Sequence, residues 1–314
     1  MVPNKTAPVT HDPANPMMQR ALRAVARQRL MGLHFIGHFI GVEGLPDDDE
    51  VAAHLQLPAR EPYGTRPVSD LELGVLVDVA MGHAVRQRLT QGMRLATTTL
   101  AIHRAPRAVV RPVVATPVVQ WLDTAGGAAA VRFEVTDTTG LVAACGSAAF
   151  ALLPSPSRRN VAPMNWSLLD GIEDVDPDTL DPQERAAVEA AEATGADSGT
   201  DVLNGLLGVQ WEDVDNGTLH GVLNVGPQHE NRVGHLQGGV AYAVGALAAQ
   251  NVVGGRRPVL DGHMSYLRPT SHGPLVITAT IVRNGTKLAF IRVNLVSAGK
   301  LTTDMSFTMG AEES

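Results

Sequence analysis

The chain has 314 residues, 44% of them hydrophobic and 18% charged, which is material for two soluble domains of ordinary size. Its formal net charge of -7 argues against general nucleic-acid binding, because affinity for phosphate backbones comes largely from Lys and Arg. The single cysteine, Cys145, excludes an intrachain disulfide framework and a cysteine-rich metal site; it lies in an apolar run and is expected in the core. Aromatic residues are only 4%, so Val, Leu, Ala and Ile are expected to build that core.

The first residues, Met1 to Pro16, are polar and proline-containing, with no apolar segment of the kind a signal peptide needs. No apolar stretch is long enough to span a bilayer, so the expected location is cytoplasmic, with neither membrane nor nucleic acid as partner. A helix is predicted over 17–30, then strands near 34–43 and 50–57. A helix over 70–89 follows, and then strands as far as 153.

From Leu153 to Thr200 the composition changes to prolines with a dense run of Asp and Glu. Asp181-Pro182-Gln183-Glu184 reads as an N-cap, a Pro at the first helical position and an acidic first turn, so this region is expected to be a linker with one surface helix. Beyond it, Gly208–Trp211 and Thr218–Val225 read as strands around an Asp-Asn-Gly turn. A helix from Leu236 to about Asn251 is apolar all round and must be buried on nearly every side. Strands are then predicted at 259–267, 274–283, 287–297 and 300–309, with Asn284-Gly285 as a hairpin turn.

The two halves repeat one another. Placing Gly74 on Gly239 (239 − 74 = 165) aligns Val68, Leu71, Gly74, Val75 and Val79 with identical residues. Val131–Val135 matches Ile291–Leu295 at an offset of 160, in the same order along the chain. The implied division is a first domain over 1–153, a linker over 154–200 and a second domain over 201–314. Each domain is α+β, an antiparallel sheet curled around one buried helix.

That pattern resembles the hotdog fold. Asn231-Arg232-Val233-Gly234-His235-Leu236-Gln237-Gly238-Gly239 resembles the Asn-x-x-Gly-x-x-His-Gly-Gly segment of phenylacetate-degradation-type acyl-CoA thioesterases, with Gln237 in place of the usual His. Ser265-Tyr266-Leu267-Arg268-Pro269 is similar to the same family's Tyr-Leu-Arg-Pro strand end. The resemblance implies two tandem hotdog domains and an acyl-CoA substrate, with no cofactor beyond the CoA it carries. It also implies further association into a homo-oligomer.

Physical chemistry gives the motif a role. Gly238 and Gly239 open a helix, where N–H groups are unpaired and the dipole end is positive, so a thioester carbonyl placed there would be polarised. Asn231 would orient the carbonyl or a water. The plainer alternative is that the glycines permit close packing and Asn231 makes a turn. In relatives the reaction's carboxylate lies about seven residues after the second Gly, which in the second half is Ala246. The first half offers Asp78, in an otherwise apolar helix.

Counted from Gly74 the acid position falls on Met81. Allowing for the longer connection before the first helix, it falls on Asp78 instead, and the sequence leaves these registers open. A fused pair can share one composite site, Asp78 from one copy with Asn231 and Gly238 from the other. The reciprocal site, Arg66 and Leu73 with Ala246, would be dead. Gln237, Gly239, Glu72, Thr97, Thr98 and Thr99 are candidates to assist, and Arg256, Arg268, Arg283 and Lys287 to bind CoA phosphates. His34, His38 and His54 invite a metal reading that no second ligand cluster supports, so no metal is expected. The competing functions are a non-catalytic acyl-CoA binding or assembly protein and a hotdog enoyl-CoA hydratase.

Overall fold

The computed structural model describes residues 15–31, 34–45, 54–59, 67–89, 92–154, 172–195, 202–255 and 257–311. Its frame is one twelve-stranded sheet. In the first half lie β1 (Glu43–Gly44), β2 (Leu55–Leu57), β3 (Met93–Arg104), β4 (Val113–Asp123), β5 (Ala128–Asp137) and β6 (Val142–Pro154). In the second half lie β7 (Gln210–Trp211), β8 (Thr218–Val225), β9 (Val259–Tyr266), β10 (Gly273–Asn284), β11 (Ala289–Ser297) and β12 (Lys300–Met309). The order across the sheet is β1-β2-β4-β5-β6-β3-β9-β12-β11-β10-β8-β7. The two halves therefore meet edge to edge. β3 pairs antiparallel with β9, Thr99 opposite Ser265 and Ala101 opposite His263. Each half alone would leave a long edge strand open, and pairing removes both edges at once.

Two helices lie on the concave side, packed against each other and against their own half of the sheet: α3 (Asp70–Arg86) and α6 (Gly238–Val252). Both are nearly apolar, and most of their residues are buried. Ser69 caps α3 in a reciprocal box with Glu72, and Gln237 caps α6, its side chain accepting from the Val240 N–H. This is the hotdog architecture, an antiparallel sheet wrapped around a buried helix, made twice. The helices approach so closely that a Cβ on Gly239 would lie 2.2 Å from the Gly74 carbonyl oxygen, and one on Gly74 would lie 2.7 Å from that of Gly239.

A helical layer supports one side of the molecule. It comprises α1 (Pro16–Met31), α2 (Phe35–Phe39), α4 (Pro182–Gly195) and α5 (Val202–Leu207). α1 packs on α2 and α4, and α2 and α4 both reach the 3-10 turn Pro227–His229 that precedes the Asn231 segment. Several expectations change here. Phe35–Phe39 is a helix and not part of a strand over 34–43. Every one of its residues is buried, and such a run carries no alternation to tell strand from helix. The acidic helix is docked: Ala187, Val188 and Ala191 are 0–2% exposed against the helical layer. The core also uses aromatics, with Phe35, Phe39, Phe133, Phe307 and Tyr242 among its largest fully buried side chains, while Cys145 is only half-buried on β6. The predicted strand over Gly208–Trp211 shortens to its last two residues.

Candidate active site

α3 brings Asp78 across the domain junction to the first turn of α6. Gln237 Nε2 donates to Asp78 Oδ2 at 2.7 Å, and Thr97 Oγ1 donates to Asp78 Oδ1 at 3.0 Å. The Gly239 backbone N–H also favours the charged form of this carboxylate. A Cβ on Gly238 would fall 2.9 Å from Asp78 Oδ1, so only glycine lets the acid rest against the helix tip. Gln237 works in both directions. Its Oε1 accepts from the Val240 N–H at 2.7 Å, which fixes the amide so that Nε2 must point at Asp78. From β9, Tyr266 donates its hydroxyl to the Gly238 carbonyl at 2.7 Å.

The helix register is decided by the caps. Asp78 lies nine residues after its N-cap (78 − 69), and Ala246 nine after its own (246 − 237). Asp78 and Ala246 are thus equivalent. The Gly74-on-Gly239 alignment marks where the helices touch and not equivalent positions, and Met81 is simply core, 0% exposed. The reciprocal site is occupied differently from the expected Leu73 and Ala246 pair. Asp70, at the position of Gly238, pairs with Arg104 at 2.5 Å and accepts from Gln250 Nε2 at 3.2 Å, while Ala246 is fully buried. Arg66 and Arg256 lie outside the described residues.

A cavity of about 320 Å³ opens beside Asp78, lined from both domains. Asn231 lines it, but its Oδ1 accepts from the Val233 and His235 N–H groups, holding the turn that leads into Gln237. Of the three threonines, Thr97 bonds to the acid. Thr98 lines the cavity with its hydroxyl committed to the Ala149 carbonyl, and Thr99 lies elsewhere, in a groove with Ser147 and His263. The cause is a bulge: the β3–β6 register shifts between Thr97 and Thr99. Glu72 is not brought to the site. It is fully buried, capping Ser69 and paired with Arg111 at 2.5 Å.

Of the proposed phosphate contacts, Arg268 lines the cavity, whereas Arg283 and Lys287 are exposed near the β10–β11 turn and do not. The cavity instead gathers Arg86, Arg94 and Arg232. Arg86 was legible as the residue eight after Asp78, on the same helical face; nothing in the sequence marked Arg94.

Burial raises Asp78 from 3.8 to about 6, opposed by the bonds from Thr97 and Gly239 and by the charge of Arg86. His34 also lines the cavity; burial first, and Arg232 next, hold it at about 3, so it is neutral. It caps α2, with Nδ1 accepting from the Gly37 N–H. Among the described residues, the one group of ligand type close enough to share a metal is His103, Asp261 and His263, none of which lines the cavity. No helix among the described residues is long and apolar enough to cross a membrane.

Residues 227–310 match the family model of the acyl-CoA thioesterase N-terminal domain. The curated proteins include no match to the sequence. Among solved structures, the tesB protein of Mycobacterium avium subs paratuberculosis is similar over 86% of this chain and 96% of its own, with a TM-score of 0.55 at 11% identity. A protein described as an oleoyl thioesterase from Lactobacillus plantarum is similar over 89% of this chain and 100% of its own, with a TM-score of 0.53 at 13% identity. At these identities the likeness is one of fold, and it covers both halves together. The likeness thus shows the tandem double-hotdog fold along the chain, and within it residues 227–310 match the acyl-CoA thioesterase domain family.

Proposed function

We propose that the chain hydrolyses an acyl-CoA thioester to free acid and CoA at one composite site between its two domains. The observation that carries this reading is the placement of Asp78 of the first domain at the tip of the second domain's helix, held there by Gln237, Thr97 and the Gly239 N–H. The Val240 N–H is taken by Gln237, and in this reading the Gly238 N–H in the same first turn faces the thioester carbonyl. The positive end of α6 stabilises the oxyanion that forms there.

Asp78 acts as general base or as nucleophile. As base it takes a proton from water while the water oxygen attacks the carbonyl carbon. The tetrahedral intermediate then collapses, the C–S bond breaks, and the thiolate leaves to take up a proton. With its raised value of about 6, Asp78 is largely ionised at neutral pH and a better base than an ordinary carboxylate. Asn231 shapes the loop that delivers Gln237 and Gly238, a positioning role.

Free-thiol release from purified protein across a panel of acyl-CoAs tests this directly. Asp78→Ala is expected to lower kcat by roughly a hundredfold or more with little change in KM, because the group acts mainly in the transition state. Wild-type protein that binds acyl-CoA yet releases no thiol from any of them would leave a binding protein as the better reading.

A further inference from the structure

Charge is distributed unevenly in the cavity. Among the described residues that line it, Asp78 is the one carboxylate, against Arg86, Arg94, Arg232 and Arg268. Arg268 is exposed and donates to the Leu301 carbonyl at 2.8 Å, which puts it at the mouth. Arg86 and Arg232 are half-buried, one from each domain. Arg86 stands eight residues beyond Asp78 on α3, two turns along the same face and ~12 Å along the axis. Between them Gly82 lines the cavity, and a Cβ there would meet nothing within 4 Å, so the wall is open from acid to guanidinium.

Neither of these two cations forms an ion pair with a described residue, and Asp78 is the one opposite charge among the cavity lining. Burial, then the charge of Arg232, pushes Arg86 down to about 10, with Asp78 acting the other way, and the group stays charged at neutral pH. Arg232 Nη2 reaches the Met31 carbonyl at 3.4 Å, but its Nη1 is buried without a partner, as is Nε of Arg94. Two like charges and bare guanidinium N–H groups inside an enclosed cavity are costly, and an anion between them relieves both costs. A carboxylate fits the guanidinium fork with two parallel hydrogen bonds.

We propose that Arg86 and Arg232 form a subsite for an anionic acyl terminus, so that the preferred substrates are thioesters of dicarboxylic acids. The proposal rests on the thioesterase reading for the reaction, but the subsite itself is a matter of binding. The other source of an anion is the phosphates of CoA, and the test separates the two.

The substrates are dicarboxylic monothioesters from succinyl to suberyl, each matched with the monocarboxylic thioester of equal length. All are made on CoA and also on pantetheine, which has no phosphate. In wild-type protein kcat/KM is expected to favour at least one dicarboxylic member by roughly tenfold or more on both carriers, the worth of a charge-assisted hydrogen bond. In Arg86→Met and Arg232→Met that ratio falls toward one, and Arg86→Lys keeps part of it. If instead the Met variants slow all CoA thioesters alike and leave pantetheine thioesters unaffected, the arginines hold phosphate and the proposal is overturned. Absence of any dicarboxylic preference in wild-type protein overturns it as well.

Should no thioester be hydrolysed, non-hydrolysable thioether analogues are titrated into wild-type protein. Tighter binding of the adipyl than the hexanoyl analogue sustains the subsite while the thioesterase reading fails; equal binding sinks the subsite.

Discussion

A carboxylate on an apolar helix is costly to bury, and Asp78 stands out in the sequence for that reason. Its partners were less legible. Three adjacent threonines look alike on paper, and the bulge in β3 decides that Thr97 is the one that reaches the acid. Gln237 reads as a departure from a family His, yet in the fold it both caps α6 and aims an N–H at Asp78. The raised value of Asp78 is also a statement about stability. Its folded-state value, about 6, lies above the unfolded 3.8, so the protonated form is favoured by folding. The contribution is fully present below pH 4 and is lost as pH rises through about 6, by on the order of 2–3 kcal/mol. Asp78→Asn removes the titration. The stability of the variant relative to wild type, from urea unfolding, is therefore expected to rise by that order between pH 4 and pH 7.5. A difference that stays flat with pH would mean that Asp78 ionises there as freely as in the unfolded chain.

At the scale of elements, the buried helices were the most legible part of the sequence. α6 was expected over 236–251 and is Gly238–Val252; α3 was expected over 70–89 and is Asp70–Arg86. Their length and continuous apolarity left no other place for them. The register between them was not legible, because a glycine used for helix contact looks the same as a glycine used at a helix tip. Gly74 and Gly239 belong to the first kind, and the structure places their backbones against each other. The short α2 was missed for a different reason: five buried residues in a row fit either strand or helix, and the neighbouring α1 decides. The contact between α3 and α6 sets the distance from Asp78 to the tip of α6, so it can be tested through both stability and rate. Gly239→Ala would place a methyl 2.2 Å from the Gly74 oxygen, and the helices must separate. The expected cost is about 1–3 kcal/mol of stability from overpacking, with a fall in kcat larger than that of an exposed control such as Glu189→Ala. Wild-type stability and rate in Gly239→Ala would show that the helices do not touch there.

The whole molecule is one sheet, and its two halves have drifted apart at the places where a symmetric pair would carry two sites. β3 and β9 join the halves, and His103 Nδ1 lies 2.6 Å from Asp261 Oδ1 across that junction. Around this junction the equivalent positions differ: Asp78 against Ala246, Gly238 against Asp70, and Gln237 against Ser69. At the degenerate site Asp70 is already paired with Arg104, whose Nη2 also donates to the Val68 carbonyl. Under the proposed function, that ion pair stands where a second thioester carbonyl would have to enter. The protein is therefore expected to bind one substrate analogue per chain. Titration calorimetry of a non-hydrolysable acyl-CoA thioether should give a stoichiometry near one, in wild-type protein and in Asp78→Ala alike. Ala246→Asp, which restores the acid on the other helix, is expected to add no activity. It buries a carboxylate one turn before Gln250, the residue that reaches Asp70, and should cost several kcal/mol of stability. Two analogues bound per chain, or faster thiol release by the Asp78→Ala, Ala246→Asp double variant than by Asp78→Ala alone, would show that the second site is alive and that the asymmetry of the two halves has another meaning.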